Sequence, residues 1–268
     1  MAQSTAVFSP QLFAGHTVFV SGGGSGIGKA IARAFLATGA RVWIASRKEE
    51  RLKEAWQELA AYGECHYAVL DIRDTEAIDH VVQQIRDKGH NIDILINNAG
   101  GQFPSPAEDI SANGWHAVIN NNLNGTWFMT KAFASNFFMQ QHQGIVISII
   151  ANIYRGFPGM AHTGAARAGV ENLTKSLSVE WAPYNIRLNA LAPGIIRTEA
   201  LDQYPSDFLK DIETKIPLKR MGTPEEVAHW CLFMACPATA YTTGETVYID
   251  GGMRLWGGIW EVPDKEQG

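Results

Sequence analysis

Short apolar segments alternate with longer segments of helical periodicity along most of this chain. The strand-like apolar segments lie at 16–22, 40–46, 65–72, 92–100, 144–150, 186–194 and 245–252. The segments with apolar residues every three to four positions, which is typical of helices, lie at 26–39, 49–63, 75–89, 114–141 and 162–183. This alternation predicts an α/β fold, with a doubly wound parallel sheet and helices on both faces.

The chain shows no internal division. No repeat, charge run or low-complexity linker separates two parts, so we predict a single domain over residues 1–268. Residues 198–224 are the least regular part, and we interpret them as a flap over a pocket. The tail beyond Gly252 carries Trp256 and Trp260, so we expect it to pack on the body or on another subunit.

The composition of the chain mainly excludes some classes of protein. Hydrophobic residues are 46% and charged residues 18% of the chain, which is typical of a globular domain with a sizeable core. The net charge of -5 argues against a nucleic-acid partner. No apolar run reaches the ~18 residues that cross a bilayer, and no secretory signal opens the chain. Cys65, Cys231 and Cys236 match no metal template. We therefore predict a cytoplasmic protein without a metal site or a membrane partner.

A glycine-rich turn, SGGGSGIG, follows the first predicted strand. Glycines permit a tight turn, and the N-terminus of the next helix offers unpaired N–H groups to a phosphate. After the first strand of an alternating chain, this turn predicts dinucleotide binding in a Rossmann-type fold. The candidate residues of this turn are Gly22, Gly24, Ser25, Gly26, Ile27 and Gly28.

The end of the second predicted strand indicates which dinucleotide binds. An acidic residue there would bind a ribose 2′-hydroxyl and repel a 2′-phosphate, but the chain has Ser46, Arg47 and Lys48. Cations suit a phosphate, although a solvated basic helix start is the other interpretation. Because a basic helix start opposes the helix dipole, we favour a ligand and predict NADP(H).

Four motifs in this order resemble the short-chain dehydrogenase/reductase superfamily over nearly the whole chain. They are 22–28, 97–100, 122–125, and 193–194 followed by Thr198. The resemblance implies that Asp71 and Ile72 flank the adenine, and that 193–196 hold the nicotinamide end. It places along the cofactor Asp71, Ile72, Asn97, Ala99, Gly100, Arg167, Pro193, Gly194, Ile196 and Thr198. It also implies a homotetramer formed through the two long helices.

Three catalytic positions depart from the pattern of that superfamily. Its usual serine, tyrosine and lysine are replaced by Ile150, Thr163 and Arg167. In ordinary members, a tyrosine kept partly ionised by the lysine protonates an alkoxide. A threonine hydroxyl is far too weak an acid for this step, and arginine is a fixed cation. The chain is therefore a poor match to ordinary carbonyl or alcohol chemistry.

Other motifs resemble the peroxisomal trans-2-enoyl-CoA reductases, a branch close to the 2,4-dienoyl-CoA reductases. These motifs lie at 99–103, 105–108, 114–118 and 164–170. Both groups lack the tyrosine–lysine pair and reduce C=C bonds of acyl-CoA thioesters. The resemblance thus implies an NADPH-dependent reductase of trans-2-enoyl-CoA, with an acyl-CoA substrate. A peroxisomal address is absent, which indicates a bacterial homologue.

In that reaction negative charge builds on the thioester oxygen, and its stabilisation should dominate catalysis. Thr163 would donate a hydrogen bond to the oxygen, and Arg167 would hold the nicotinamide ribose and supply positive charge. Tyr154 is our candidate acid for Cα, with a wall of the acyl pocket as its alternative role and water as the alternative proton source. Asn122 matches the family asparagine that shapes the active-site helix and holds a relay water. His162 is another titratable group, which we interpret first as a cap or hydrogen-bonding group at the helix start.

Two other functions stay open. One is an NADP-dependent carbonyl or alcohol oxidoreductase acting on a hydrophobic, for example terpenoid, substrate. The other is a non-catalytic NADP-binding sensor. Thr163 and Arg167 favour the enoyl reductase and the sensor over the carbonyl enzyme, whereas Asn122 and 193–194 favour the enoyl reductase over the sensor.

Overall fold

The computed structural model describes residues 7–199, 201 and 212–255. These residues form a parallel sheet of seven strands in the order β3-β2-β1-β4-β5-β6-β7. The strands are β1 (Thr17–Ser21), β2 (Arg41–Ser46), β3 (Cys65–Val69), β4 (Ile94–Asn97), β5 (Gly144–Ile149), β6 (Ile186–Pro193) and β7 (Thr246–Ile249). The predicted single-domain, doubly wound α/β fold of Rossmann type is confirmed.

Helices connect the strands and cover both faces of the sheet. They are α1 (Gly26–Ala37), α2 (Glu49–Leu59), α3 (Thr75–Asp87), α4 (Ala112–Ile119), α5 (Gly125–Phe133), α6 (Met139–Gln141), α7 (Ala161–Glu180) and α8 (Pro224–Ala235). The long helix predicted at 114–141 corresponds to α4, α5 and α6. Two π-helical segments, Asn120–Asn124 and Ala134–Phe138, join these three helices into one continuous helical stretch.

Side-chain alternation along the strands builds a core on each face of the sheet. In β1, Val18 and Val20 point into one cluster, which also contains residues of α1 and α8. Phe19 points into the opposite cluster with residues of α3 and α5. Because both faces of β1 are covered, all five of its residues are buried, and the three at its centre are apolar.

Helix α8 is an element that the sequence analysis does not predict. Thr223 and Glu226 form a reciprocal capping box at its start, with Pro224 at the first helical position. The Thr223 hydroxyl accepts from the Glu226 N–H at 3.2 Å, and a Glu226 carboxylate oxygen accepts from the Thr223 N–H at 2.9 Å. The stretch TPEE was therefore a usable helix-start signal. Helix α8 packs on α1 and completes one face of the core.

Some predicted features lie outside the described residues. They are positions 200 and 202–211 of the predicted flap, and the tail residues Trp256 and Trp260. The chain bounds of the domain, 1–268, therefore stay a prediction. Within the described ranges, the three cysteines are free and buried, and no helix is long and apolar enough to cross a membrane.

A charged cluster lies at the amino ends of β2 and β3, the sheet edge opposite the glycine-rich turn. One oxygen of Glu64 accepts from Arg41 Nε at 2.6 Å and lies 3.0 Å from His66 Nε2 and 3.8 Å from His90 Nε2. Trp43 Nε1 donates to His90 Nδ1 at 3.2 Å, which places the proton of a neutral His90 on Nε2. With Arg41 on the carboxylate and Nε2 protonated, the geometry favours a hydrogen-bonded ion pair over a metal centre.

This cluster makes stability depend on pH. The hydrogen bond from Arg41, together with that from His66, lowers the pKa of Glu64 to about 2. A lowered carboxyl pKa stabilises the fold above the unfolded-state pKa, and the stabilisation is lost as the pH falls towards about 2. Because the Glu64 side chain is 50% exposed, we expect Glu64→Gln to cost no more than about 1 kcal/mol at pH 7.

Urea unfolding of wild type and Glu64→Gln from pH 7 to pH 2 measures this contribution. The difference in free energy of unfolding should shrink between about pH 4.5 and pH 2. Glu54→Gln, which removes an exposed carboxylate of α2, is the control for the loss of one surface charge. A difference for Glu64→Gln that stays constant over this range contradicts the assignment.

Candidate active site

A cavity of about 230 Å³ opens at the carboxyl ends of β1 to β4. Its lining comprises Gly22, Gly24, Ser25, Ala45, Ser46, Arg47, Lys48, Arg51, Leu70, Asp71, Ile72, Ala99, Gly100 and Asn121. The cavity lies where β1 and β4 adjoin and the strand order reverses, which is where open parallel sheets bind nucleotides. The fold thus brings the glycine-rich turn, the basic stretch, the Asp71 loop and the turn after β4 into one site.

The glycine-rich turn is held in a form that only glycine permits at two positions. A Cβ on Gly28 would overlap the Gly22 carbonyl oxygen, and Gly22 has a φ of +68°. Asn98 Nδ2 donates to the carbonyls of Ser21 and Gly22 at 3.1 and 3.2 Å and so fixes the turn. The Ser25 side chain does not cap α1, so the first N–H groups of that helix stay available to a phosphate. These residues fit a dinucleotide.

The basic part of the cavity includes a cation that sequence reasoning missed. Arg51 lies on the first turn of α2, four residues after Arg47, and lines the same cavity as Arg47 and Lys48. Its guanidinium forms an ion pair with Glu199, in the segment after β6. The available signal was the position of Arg51 on the first turn of the predicted helix, directly after the basic stretch.

Asp71 is the acidic residue of this cavity, and it is held by a neighbour. Arg73 Nε donates to Oδ1 at 2.9 Å and Nη2 to Oδ2 at 2.5 Å. This hydrogen bonding lowers the pKa of the Asp71 carboxyl. The carboxylate is therefore paired with Arg73 and Arg51 is paired with Glu199, so the positive balance of the lining rests on Arg47 and Lys48.

Nine predicted cofactor residues lie outside the lining of this cavity. In the described part of the chain they are Gly26, Ile27, Gly28, Asn97, Arg167, Pro193, Gly194, Ile196 and Thr198. Thr198 lies over the turn, because its Cγ2 would be 3.5 Å from a Cβ on Gly26. Gly194 follows β6 and packs on Asp250, whose Cα would be 2.8 Å from an added Cβ. Ile27 packs against the core, and the cofactor roles of this set stay predictions.

Buried polar side chains gather beside the turn that follows β4. Arg167 Nη1 donates to the Ile149 carbonyl at 2.9 Å. A Cβ on Gly100 would lie 2.5 Å from Arg167 Nη2 and 2.7 Å from Asn122 Oδ1, so both side chains pack against this glycine. Asn122 lies in the first π-helical segment and brackets Gly101, donating to its oxygen at 2.7 Å and accepting from its N–H at 3.2 Å. The fold thus assembles Gly100, Asn122 and Arg167.

Several buried polar atoms near this point have no hydrogen-bond partner among the described residues. They are Asn97 Oδ1, His162 Nε2, Thr163 Oγ1 and Arg167 Nε. An unpaired buried polar group costs about 1–3 kcal/mol, so this concentration indicates a binding site for a polar ligand. Burial lowers the pKa of Arg167 to about 10, which leaves it a cation at neutral pH.

Two other positions singled out in the sequence contribute no unpaired buried polar atom. Ile150, at the place of the usual serine, is buried among Val170, Ala190 and Ala192 and offers no polar group. Tyr154 follows β5 and is 62% exposed, with its ring edge-on to Tyr248 at 6.0 Å. The role of Tyr154, as proton donor or as pocket wall, stays a prediction.

A larger cavity, of about 630 Å³, lies beside β7 and α8. Tyr248, Ile196, Trp230 and Arg254 are among its lining residues. Tyr154 adjoins this cavity through its contact with Tyr248. Apart from Ile196, the candidate catalytic and cofactor residues are not part of its described lining.

The family model described as Enoyl-(Acyl carrier protein) reductase matches residues 22–254. The chain belongs to the short-chain dehydrogenase/reductase family, as the sequence motifs predict, and is an oxidoreductase of that family. The fold of this family implies a nicotinamide cofactor, which the glycine-rich turn and its cavity fit.

Two curated relatives are similar over most of their length. The chain is 36% identical to the probable 2,4-dienoyl-CoA reductase [(2E)-enoyl-CoA-producing] of Bacillus subtilis, covering 89% of this chain and 96% of that protein. It is 39% identical to the peroxisomal 2,4-dienoyl-CoA reductase [(3E)-enoyl-CoA-producing] of Pongo abelii, covering 93% and 87%. Among solved structures, the citronellol catabolism dehydrogenase AtuB of Pseudomonas aeruginosa PAO1 superposes with a TM-score of 0.83, 36% identity and coverage of 92% and 98%.

Proposed function

We propose that this protein reduces the C=C bond of a trans-2-enoyl-CoA thioester with NADPH. The observation that carries the proposal is the pair of buried groups Thr163 and Arg167, a neutral hydroxyl and a fixed cation, where ordinary members have an acid–base pair. The 2,4-dienoyl-CoA reductases among the relatives support an acyl-CoA substrate.

The two residues suit the charge that develops in such a reaction. A bound nicotinamide cofactor would supply the hydride to Cβ of the substrate. Thr163 Oγ1, buried and without a partner among the described residues, donates a hydrogen bond to the thioester oxygen and keeps its proton. Arg167 places a permanent positive charge beside Gly100 and Asn122, where it binds the ribose hydroxyls and stabilises the enolate.

Steady-state NADPH oxidation with trans-2-enoyl-CoA substrates of graded length tests the function. We expect turnover by wild type and a loss of about 10²-fold in kcat for Thr163→Val, because one hydrogen-bond donor to the oxyanion is removed. Thr163→Ser keeps the hydroxyl and is the matched control, which should retain most of the rate. Tight NADPH binding without turnover of any enoyl-CoA refutes the proposal.

The same assay identifies the proton source for Cα. In our proposal Tyr154 supplies this proton, and its exposure lets the phenol regain a proton from solvent. Tyr154→Phe should then lower kcat by about 10²-fold, the lower end of the usual effect of a general acid. An unchanged rate assigns the proton to water and leaves Tyr154 as a wall residue.

The choice of NADPH over NADH is proposed from the cations of the smaller cavity. We expect Arg47→Ala to raise the Kd for NADPH by about 10- to 100-fold, because one charge-assisted hydrogen bond to the 2′-phosphate is lost. The Kd for NADH should not change. Lys53→Ala, which removes a cation of α2 outside the cavity lining, is the control. Equal losses for both cofactors would contradict a 2′-phosphate site.

One similarity favours a second function. AtuB is named as a dehydrogenase of citronellol catabolism, which supports an NADP-dependent alcohol or carbonyl oxidoreductase acting on a hydrophobic substrate. Oxidation of terpenoid alcohols with NADP⁺, without enoyl-CoA reduction, would establish that alternative. Cofactor binding without turnover of either substrate class would support the sensor.

A homotetramer and a cytoplasmic location also stay proposals. Partly exposed aromatic side chains support assembly: Trp115 on α4, and Trp230 and Phe233 on α8, with exposed fractions between 37% and 43%. The ring centres of Trp230 and Phe233 lie 5.7 Å apart, and an exposed apolar cluster is typical of an interface between subunits.

A further inference from the structure

His162 is a fully buried imidazole on the first turn of α7. It directly precedes Thr163, and the proposed function assigns it no role. Its Nδ1 lies 2.9 Å from the Thr163 N–H, and its Nε2 has no partner among the described residues. The prediction of a hydrogen bond at the helix start therefore accounts for only one of the two ring nitrogens.

The hydrogen bond at Nδ1 determines where the imidazole proton lies. A backbone N–H can only donate, so Nδ1 is the acceptor and the ring proton is on Nε2. His162 therefore presents a buried N–H donor without an acceptor. A buried donor without an acceptor destabilises the fold unless a ligand supplies that acceptor.

The surroundings of His162 place this donor beside the candidate active site. The centre of the His162 ring lies 4.6 Å from that of Phe103, with the two rings edge to face. Phe103 belongs to the loop that leaves the cofactor cavity after Gly100. Ser105 N donates to the Gly159 oxygen at 2.7 Å, which ties this loop to the turn before α7. His162 thus lies between the loop after Gly100 and the helix that carries Thr163.

Unpaired polar groups are concentrated on this part of α7. His162 Nε2, Thr163 Oγ1 and Arg167 Nε lie within six residues, and all three can donate. A ligand that complements them must present acceptors. A thioester oxygen has two lone pairs and accepts two hydrogen bonds, more strongly as it becomes an enolate oxygen.

We propose that His162 Nε2–H donates the second hydrogen bond to the thioester oxygen of the substrate, alongside the Thr163 hydroxyl. This inference rests on the proposed function, since it requires an enoyl thioester in the site. His162 acts as a neutral donor that stabilises the oxyanion, and the proton stays on Nε2 throughout. Its Nδ1 contact with the Thr163 N–H holds the ring in this tautomer.

Two conservative substitutions separate the two ring nitrogens. His162→Asn keeps an acceptor near the position of Nδ1 and removes the donor at Nε2. His162→Gln reaches the position of Nε2 with an amide donor but loses the contact with the Thr163 N–H. A donor role and a purely structural role therefore predict opposite orders of activity for the two variants.

We expect kcat for trans-2-enoyl-CoA to fall about 10²-fold in His162→Asn, with the Kd for NADPH unchanged. Affinity for the saturated acyl-CoA product in the presence of NADP⁺ should fall in the same variant. His162→Gln should recover at least about tenfold of the lost rate, although its Tm falls because the Nδ1 contact is gone.

Other outcomes overturn the inference in distinguishable ways. Wild-type rates in His162→Asn, with loss of Tm and rate only in His162→Gln, would show that the residue caps the helix. Wild-type rates in both variants would assign Nε2–H to a buried water. If wild type itself turns over no enoyl-CoA, the proposed function fails together with this inference. If wild type turns over and His162→Asn matches it, only this inference fails.

Discussion

Arg167→Met is expected to lower kcat/KM by at least about 10³-fold while leaving the free energy of unfolding unchanged or higher. The guanidinium is buried. Its Nη1 donates to the Ile149 carbonyl, and its Nε has no partner among the described residues. Methionine removes a buried charge that has no acidic partner among the described residues, and this relief offsets the loss of the one hydrogen bond to the Ile149 carbonyl. In the proposed reaction, the oxyanion loses a permanent positive charge and the nicotinamide ribose loses a contact.

Arg187→Met is the matched control for this prediction. Arg187 is a partly buried arginine whose Nη1 donates to the oxygens of Thr239 and Thr242 at 3.2 and 3.1 Å, and whose Nη2 donates to the Met234 oxygen at 3.1 Å. Because these carbonyls lose their donor, this variant should lose about 2–4 kcal/mol of stability and keep its kcat. Urea unfolding and enoyl-CoA kinetics on both variants check the contrast. A stability loss in Arg167→Met as large as that in Arg187→Met would make Arg167 a structural residue.

Gly28→Ala is expected to abolish cofactor binding and to destabilise the fold by about 3 kcal/mol, the upper end of the usual cost of overpacking. The added Cβ would overlap the Gly22 carbonyl oxygen and lie 2.5 Å from Asn98 Nδ2. The first contact is with backbone, so no rotamer change relieves it. The turn between β1 and α1 must open, which also moves the N–H groups that face the phosphates.

Gly63→Ala is the control for the effect of a methyl group at a glycine. Its added Cβ would meet the flexible Leu36 Cδ2 at 3.3 Å, and its φ is not in the left-handed region. We expect a change in free energy of unfolding below about 1 kcal/mol and no change in NADPH affinity. Fluorescence titration with NADPH and thermal unfolding of both variants provide the measurements. NADPH binding by Gly28→Ala at wild-type affinity would remove the turn from the cofactor site.

The order of buried groups along the chain was enough to predict the sheet. Strands covered on both faces carry uninterrupted apolar runs, such as residues 18–20 in β1, so their alternation with amphipathic helices indicates a parallel α/β fold directly. The glycine-rich turn could also be predicted from the sequence. The left-handed backbone at Gly22 and the close approach of Gly28 to the Gly22 carbonyl exclude other residues, and both depend on residues within the same short stretch. Helix α8 was missed because its apolar pattern is short and only weakly periodic. The capping box of Thr223 and Glu226 was nevertheless a local signal for the start of this helix.

The sequence by itself determined the fold class, the family, the turn for the cofactor and the exchange of the catalytic pair for Thr163 and Arg167. Each of these features depends on residues that are neighbours in the chain, so a local pattern is enough to predict it. Only the tertiary structure decided which distant groups meet. It paired Arg51 with Glu199, set Arg167 against Gly100 and Asn122, and left His162 Nε2 without a described partner. Whether a buried donor is paired depends on contacts between segments far apart in the chain, and no local pattern records those contacts.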